Sequence, residues 1–319
     1  VSDVERTSTV AETPLVSVVM ATYAGDSLPL LTQAVESVQA QTHKQFEFLI
    51  VLDGPIGRDT QVYLDRTTFD DNRVQVLARP TNSGPAVARN LGIERAVGDY
   101  IAILDADDLA TPERLERQLA FLKEHQADLV GSFYQLVDEK GANVGKREVP
   151  TTAEGIRNSF CVFNPIANST VFARASVLKE NPYPQRYHLA QSSADDGMWR
   201  SRINRFNPLR WFFVSADKCI EFEDLELWIR LVRKKFLLLN QDEYLVLFRN
   251  DARFLERRTG LLFFGRELRC KWRAIRLYPF YAAPLVIAMI FASTVPRLFP
   301  ARLVRKLYAI RGSMRFGNA

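Results

Sequence analysis

Four short apolar runs, Leu15 to Ala21, Phe46 to Leu52, Val74 to Ala78 and Tyr100 to Leu104, are separated by segments with helical spacing. No other feature constrains the fold as much. Repeated strand and helix units bury both faces of their strands by winding helices over a largely parallel sheet. The first helix is well marked: Asp26 or Ser27 can cap it, Pro29 falls in its first turn, and Leu31, Ala34, Val35 and Val38 share one face. Thr111-Pro112-Glu113 starts another helix with Leu115, Leu119 and Leu122 facing inward, and Leu129 opens a strand-like stretch to Val137. Phe222 to Lys235 returns to helical spacing at Leu225, Trp228, Ile229 and Val232. The expected class is therefore α/β, with a doubly wound, mostly parallel sheet whose ligands bind beyond the carboxyl ends of its strands.

Charge divides the chain. Residues 251–319 carry 14 Lys and Arg against 3 Asp and Glu, a net +11, whereas the first 250 residues carry 28 against 34, a net −6. The basic end also contains Leu277 to Val295, 19 residues without a charge, interrupted or flanked by Pro279, Pro284 and Pro296. That combination predicts contact with anionic lipid rather than nucleic acid, with a helix or hairpin lying in the membrane interface in preference to a spanning helix, and a buried core helix as the plainer alternative. No RNA- or DNA-binding signature accompanies it. Three parts are expected: a flexible polar lead-in at 1–14 with no signal-peptide pattern, a folded domain at 15–250, and a membrane-association region at 251–319. The cysteines Cys161, Cys219 and Cys270 are odd in number, widely spaced and far from any zinc pattern, so they read as ordinary reduced thiols of a cytosolic compartment.

Acidic residues gather where ligands of such a sheet belong. The fourth run ends in Asp105-Ala106-Asp107-Asp108. Three carboxylates within four residues repel one another unless a hard cation such as Mg2+ or Mn2+ offsets them; a solvated turn with a helix cap is the plainer alternative. The second run ends in Asp53-Gly54, where a carboxylate can accept from a base edge or a ribose, although Asp-Gly is also an everyday turn. The first ends in Thr22-Tyr23, an aromatic ring able to stack on a base or simply to pack. Between the third and fourth runs lies Asn82-Ser83-Gly84-Pro85-Ala86-Val87-Ala88-Arg89-Asn90, small residues followed by an arginine whose planar fork suits phosphate. Glu221 to Glu226 places four acids at a helix start, favourable charges at an N-terminus or the home of a general base.

Taken in order, SVVMATY, FEFLIVLDG, NSGPAVARNLGIERAVGDYIAILDADDL, NPIANSTVFARASVL and EDLELWIRL resemble glycosyltransferase family 2, from about Leu15 to Arg249. The resemblance implies a GT-A fold, Rossmann-like, and an inverting, metal-dependent transfer of one sugar from a nucleotide diphosphate sugar, a UDP-sugar first, to a hydroxyl of a lipid-linked or glycan acceptor. It implies donor binding by Thr22, Tyr23, Asp53, Arg89 and Asp105, Mg2+ or Mn2+ on Asp107, and Asp224 as catalytic base, at the cytoplasmic face of the cell membrane. The Asn164 to Thr170 stretch would line the acceptor side. Departures from the pattern are Ala24 in place of the familiar asparagine, and Leu52-Asp53-Gly54-Pro55 in place of Asp-Asp-Gly-Ser. The QxxRW signature of processive synthases is not apparent, which favours single-sugar transfer. Residues 191–219 look like an insertion, carrying Trp199, Trp211, Phe212 and Phe213 among arginines, either packed or closing over the cleft and touching lipid. The competing readings are a nucleotidyltransferase, whose glycine-rich basic loop Ala21 to Asp26 does not supply, and a catalytically inactive sugar-nucleotide-binding membrane protein.

Overall fold

The structure is a computed structural model that describes residues 15–138, 140–185, 222–249, 267–268, 270–272, 274–277 and 283–295. The lead-in at 1–14, the 191–219 insertion and Cys219 lie outside the described residues. The chain runs β1 (Val16–Thr22), α1 (Leu28–Gln39), β2 (Phe46–Leu52), α2 (Arg58–Asp70), β3 (Val74–Ala78), α3 (Pro85–Arg95), β4 (Tyr100–Ile103), β5 (Leu109–Ala110) and α4 (Arg114–Glu124). Then follow β6 (Leu129–Val137), β7 (Asn143–Arg147), α5 (Ala153–Ser159), a 3-10 turn at Asn168–Thr170, β8 (Phe172–Arg174) and α6 (Ala175–Glu180). Beyond the insertion come α7 (Glu223–Arg233), β9 (Leu238–Arg249) and an apolar helix α8 (Ala283–Thr294).

One sheet orders these strands β3-β2-β1-β4-β8-β6-β9-β5, with β7 paired to β6. The pairs β1·β2, β1·β4, β2·β3 and β6·β9 are parallel, while β4·β8, β6·β8, β6·β7 and β5·β9 are antiparallel. The expectation of a mostly parallel sheet is therefore corrected to a mixed α/β sheet, parallel in the half built by the first four strands. The reason lies in the connections: between β4 and β8 the chain places β5, α4, β6 and α5, so β8 returns from the far side and pairs antiparallel with β4 at Ile101↔Ala173.

Alternate residues of the strands feed two apolar layers, as period-two side chains of a doubly covered sheet must. Val18, Met20, Phe48 and Ile50 meet Leu31 and Val35 of α1 and Leu115 and Leu119 of α4. Val19, Leu49, Ile101 and Ile103 pack on the other side with Ile93 of α3, Ile166 and Trp228 of α7. Trp228 is fully buried, its indole nitrogen donating to the Ile166 carbonyl at 3.2 Å. Burial of such a side chain contributes about 1.5–3 kcal/mol, which fixes the depth of α7 against the sheet. Gly92 lets α3 come close, since a Cβ there would stand 2.5 Å from Val19 Cγ1.

Among the described residues no helix is long and apolar enough to cross a membrane. The helix α8 packs on the domain, with Val286 and Ile290 buried against Cys161. Cys161 and Cys270 are both buried.

Candidate active site

The carboxyl ends of β1, β2 and β4 carry the acidic residues singled out by the sequence, and backbone contacts tie them together. The Asp53 amide donates to the Thr22 carbonyl at 2.8 Å, joining the first two strand ends. Both Asp53 oxygens accept main-chain amides, from Ser83 at 2.9 Å and Gly84 at 2.7 Å, with Arg79 3.5 Å away. Asp53 thus holds the turn that launches α3. Gly54 is required beside it: its φ is 92°, and a Cβ would meet the Asn82 nitrogen at 2.7 Å. Tyr23 is 44% exposed, with its ring against Gly25.

Asp26, read from sequence as a helix cap, belongs to the site instead. Its carboxylate accepts from Thr22 Oγ1 at 2.9 Å and from the Tyr23 amide at 3.0 Å, and the cap position of α1 is taken by Ser27 without a side-chain bond. Burial raises its pKa and the charge of Asp105 adds to that. Sequence spacing offered no signal, because Asp26 and Asp105 meet only when β1 and β4 pair.

The three acids after β4 have separate fates. Asp108 is buried, accepting from the Ser169 hydroxyl and from the Arg249 amide at 2.8 Å, so it ties the 3-10 turn and β9 to this strand end. Burial, then Asp107 and Asp105, push its pKa well up. Asp105 accepts from Arg89 at 2.7 Å and Asn168 at 2.9 Å on one oxygen. Asp107 is the exposed member. Desolvation, then the charges of Asp105 and Asp26, lift its pKa to about 6, with Arg249 opposing.

Arg89 sits one turn into α3, where the sequence put it. Its guanidinium is 8% exposed residue-wide and spans two carboxylates, Glu223 at 2.9 Å and Asp105 at 2.7 Å, with the Tyr183 ring 5.6 Å from its centre. The fork expected for phosphate is occupied by protein acids 16 and 134 residues away in sequence. Burial disfavours its charge, but Asp105 and Glu223 outweigh that and hold the pKa above the ordinary arginine value. Tyr183 completes the framework: its hydroxyl donates to Asn168 at 2.8 Å, and its backbone exchanges two 2.8 Å bonds with the Asn90 side chain.

Arg89 consequently binds the start of α7 to the end of β4. Asp224, next to Glu223, is half-buried, and its carboxylate accepts from Asn164 at 2.8 Å. The Asn164 to Thr170 stretch therefore serves both sides, with Asn164 on Asp224, Asn168 on Asp105 and Ser169 on Asp108. Beneath them Arg114 is fully buried and donates to the carbonyls of Ile103 at 2.9 Å and Val171 at 3.1 Å, securing the ends of β4 and the 3-10 turn.

Among the described residues no group of three or more His, Cys, Asp or Glu is gathered to hold an ion unaided. What the chain offers is hard oxygen donors with excess negative charge: Asp107 reaching outward, Asp26 and Asp105 beside it. That set fits a cation such as Mg2+ or Mn2+, which takes one or two carboxylates and completes its shell with water and phosphate oxygens.

The sequence profile of Glycosyl transferase family 2 matches residues 17–180, just over half of the 319 residues. An uncharacterized glycosyltransferase of Methanocaldococcus jannaschii is 28% identical over 266 residues, 82% of this chain and 80% of that protein. An uncharacterized glycosyltransferase of Rickettsia felis is 36% identical over 169 residues, covering 53% of this chain and 27% of that longer protein. Among solved structures, Staphylococcus aureus TarS 1-349 in complex with UDP-GlcNAc superposes with a TM-score of 0.54 at 16% identity, over 87% of this chain and 71% of TarS. The mannosyltransferase PcManGT from Pyrobaculum calidifontis, in complex with GDP-Man and Mn2+, gives 0.55 at 14% identity, over 94% of this chain and 81% of that one. These structural likenesses establish a shared GT-A-like fold. With its strand-end acids, its fold and the match over residues 17–180, the chain belongs to glycosyl transferase family 2.

Proposed function

We propose that this chain is an inverting, metal-dependent glycosyltransferase that moves one sugar from a nucleotide diphosphate sugar to a hydroxyl of a lipid-linked or glycan acceptor. The observation that carries the reading is the Asp105–Arg89–Glu223 bridge, which brings the Asp107 strand end and Asp224 to one site. Donor chemistry follows the relatives, since TarS binds UDP-GlcNAc and PcManGT binds GDP-Man with Mn2+; a UDP-sugar is the first choice for this chain.

In this reading Tyr23 stacks on the base, Thr22 and Asp53 shape its seat, and Asp105 orients the ribose and sugar. Arg89 acts through Asp105 and Glu223, a change from the direct phosphate contact expected of it. Asp107, with Asp26 and Asp105 adjacent, would hold Mg2+ or Mn2+, which when bound would supply positive charge toward the leaving diphosphate. Asp224, oriented by Asn164, takes the proton of the acceptor hydroxyl as that oxygen attacks the anomeric carbon. The bond from that carbon to the diphosphate oxygen breaks on the opposite face, so one displacement inverts the centre. The net +11 of residues 251–319 supports a location at the cytoplasmic face of the cell membrane.

Thermal shift with UDP-, GDP- and dTDP-sugars, with and without Mn2+, tests the donor class through mass-action stabilisation. Asp224→Asn is expected to keep the donor shift while turnover falls about 10²–10⁴-fold, the usual contribution of a general base. Turnover equal to that of the unaltered chain would remove Asp224 from its role.

A further inference from the structure

Helix α8 is apolar on the face it buries and on the face it exposes. Val286, Ile290 and Thr294 are buried at 3%, 0% and 0% exposure. On the opposite side Ala288, Phe291, Ala292 and Val295 are exposed, at the i, i+3, i+4, i+7 spacing of one helical stripe, and none is polar. A helix docked on a soluble domain ordinarily turns charged or polar residues to water on that side. Phe291 is 42% exposed and Val295 37%.

A buried polar clamp fixes this stripe to the domain. Lys271, 1% exposed, pairs with Glu267 at 2.8 Å and donates to the Val162 carbonyl at 2.7 Å and Ser293 Oγ at 2.9 Å. Ser293 in turn donates to the Cys161 carbonyl at 3.0 Å. Residues one or two positions from the clamp are exposed aromatics as well: Trp272 at 49%, after Lys271, and Phe163 at 41%, after Val162. Phe163 immediately precedes Asn164, the residue that holds Asp224.

We infer that this stripe, with Trp272 and Phe163, is the surface that docks on an anionic lipid bilayer, and that docking brings the Asn164–Asp224 side of the site to the lipid plane. The inference rests on the membrane part of the proposed function and deepens it by naming the face. Charge complementarity selects the occupant: the sequence around α8 is basic, with Arg276 before it and Arg297, Arg302, Arg305 and Lys306 after it, within a region of net +11. Length sets the mode: 12 residues rise about 18 Å, short of the roughly 30 Å hydrocarbon core, so the helix lies in the interface. An exposed tryptophan suits the headgroup level, its ring apolar and its N–H able to reach water.

The test is flotation of the full chain with vesicles of phosphatidylcholine alone and of phosphatidylcholine with phosphatidylglycerol. The unaltered chain is expected to float with the anionic vesicles and much less with the neutral ones. Trp272→Glu with Phe291→Glu should lower that partition at least tenfold, while the melting temperature and the slow hydrolysis of the donor by water stay unchanged. If the unaltered chain floats with neither vesicle, the membrane reading falls and this inference with it. If it floats and the double variant floats equally, the stripe is not the docking face, although the membrane reading stands. A double variant that floats normally but has lost self-association by light scattering would assign the stripe to a second copy, overturning the inference.

Discussion

Arg89→Met removes a cation from between two carboxylates that the fold cannot hydrate freely, since their side chains are 27% (Asp105) and 11% (Glu223) exposed. Methionine fills much of the same volume, so cavity formation contributes little and charge dominates. Breaking a buried ion pair by deleting one partner costs about 3–5 kcal/mol. For a domain of this size each kcal/mol lowers Tm by about 2–4 °C, so a fall of roughly 10 °C is expected. The second step isolates the cause: Glu223→Gln in the Arg89→Met background relieves the orphaned acid, and the double variant should recover at least about 1 kcal/mol relative to additive losses, as coupled neighbours do. Urea unfolding of the four proteins reads the stability cycle, and donor titration calorimetry run alongside reads whether Asp105 has lost its orientation. Arg89→Lys should rescue only in part, because one ammonium cannot span both carboxylates as the fork does. A loss under about 1 kcal/mol for Arg89→Met, or additive losses in the cycle, would refute the claim that this arginine couples β4 to α7.

Asp107→Asn should abolish the Mn2+-dependent part of the donor thermal shift while leaving the metal-free melting temperature near that of the unaltered chain, because Asp107 is exposed and Asp108 is the buried anchor. Ser169→Ala, followed by thermal unfolding, should cost about 1–3 kcal/mol by leaving buried Asp108 one donor short. Asp53→Ala strands the Ser83 and Gly84 amides, and calorimetry should show weaker donor binding with stability down by about 2 kcal/mol. At the opposite end of the sheet, the Arg73 hydrogen bond depresses the Asp71 pKa from 3.8 to about 2. Its stabilising contribution is therefore present above pH 3.8 and lost as pH falls toward 2, so the stability difference between the unaltered chain and Asp71→Asn should close over that window in acid titrations.

The parallel half of the fold was legible because β1, β2 and β4 are buried on both faces and the helix after β1 has its own apolar stripe: Leu31, Ala34, Val35 and Val38 of α1 are all buried, as their spacing required. The antiparallel half was not. The strand β5 is two residues long and exists only because Leu109 pairs with Leu247, a contact no local pattern announces. The same distinction governs the site. Acids at strand ends were visible as Asp53, Asp105 and Asp107, since β strands deliver their carboxyl ends to one edge. Partners were not visible: Arg89 could be seen to carry a fork, but its pairing with Glu223 depends on α7 arriving from 134 residues away. Asn164 was noted only as part of a stretch, and its hold on Asp224 needed the fold.

Strand β9 sets the order in which a nascent chain can become this enzyme. The family signature ends at residue 180, yet β6 lacks its long parallel neighbour until Leu238–Arg249 is inserted between it and β5. Asp108 likewise waits for the Arg249 amide, and the Pro150 and Pro165 carbonyls wait for the side chain of Asn240. A polypeptide halted on the ribosome before residue 238 thus leaves nine residues of β6 without that ladder, a ready template for pairing with another chain. Pairings of such long separation also close slowly. Synthesis of the last strand, rather than of the motifs that mark the family, is the moment at which the site can assemble.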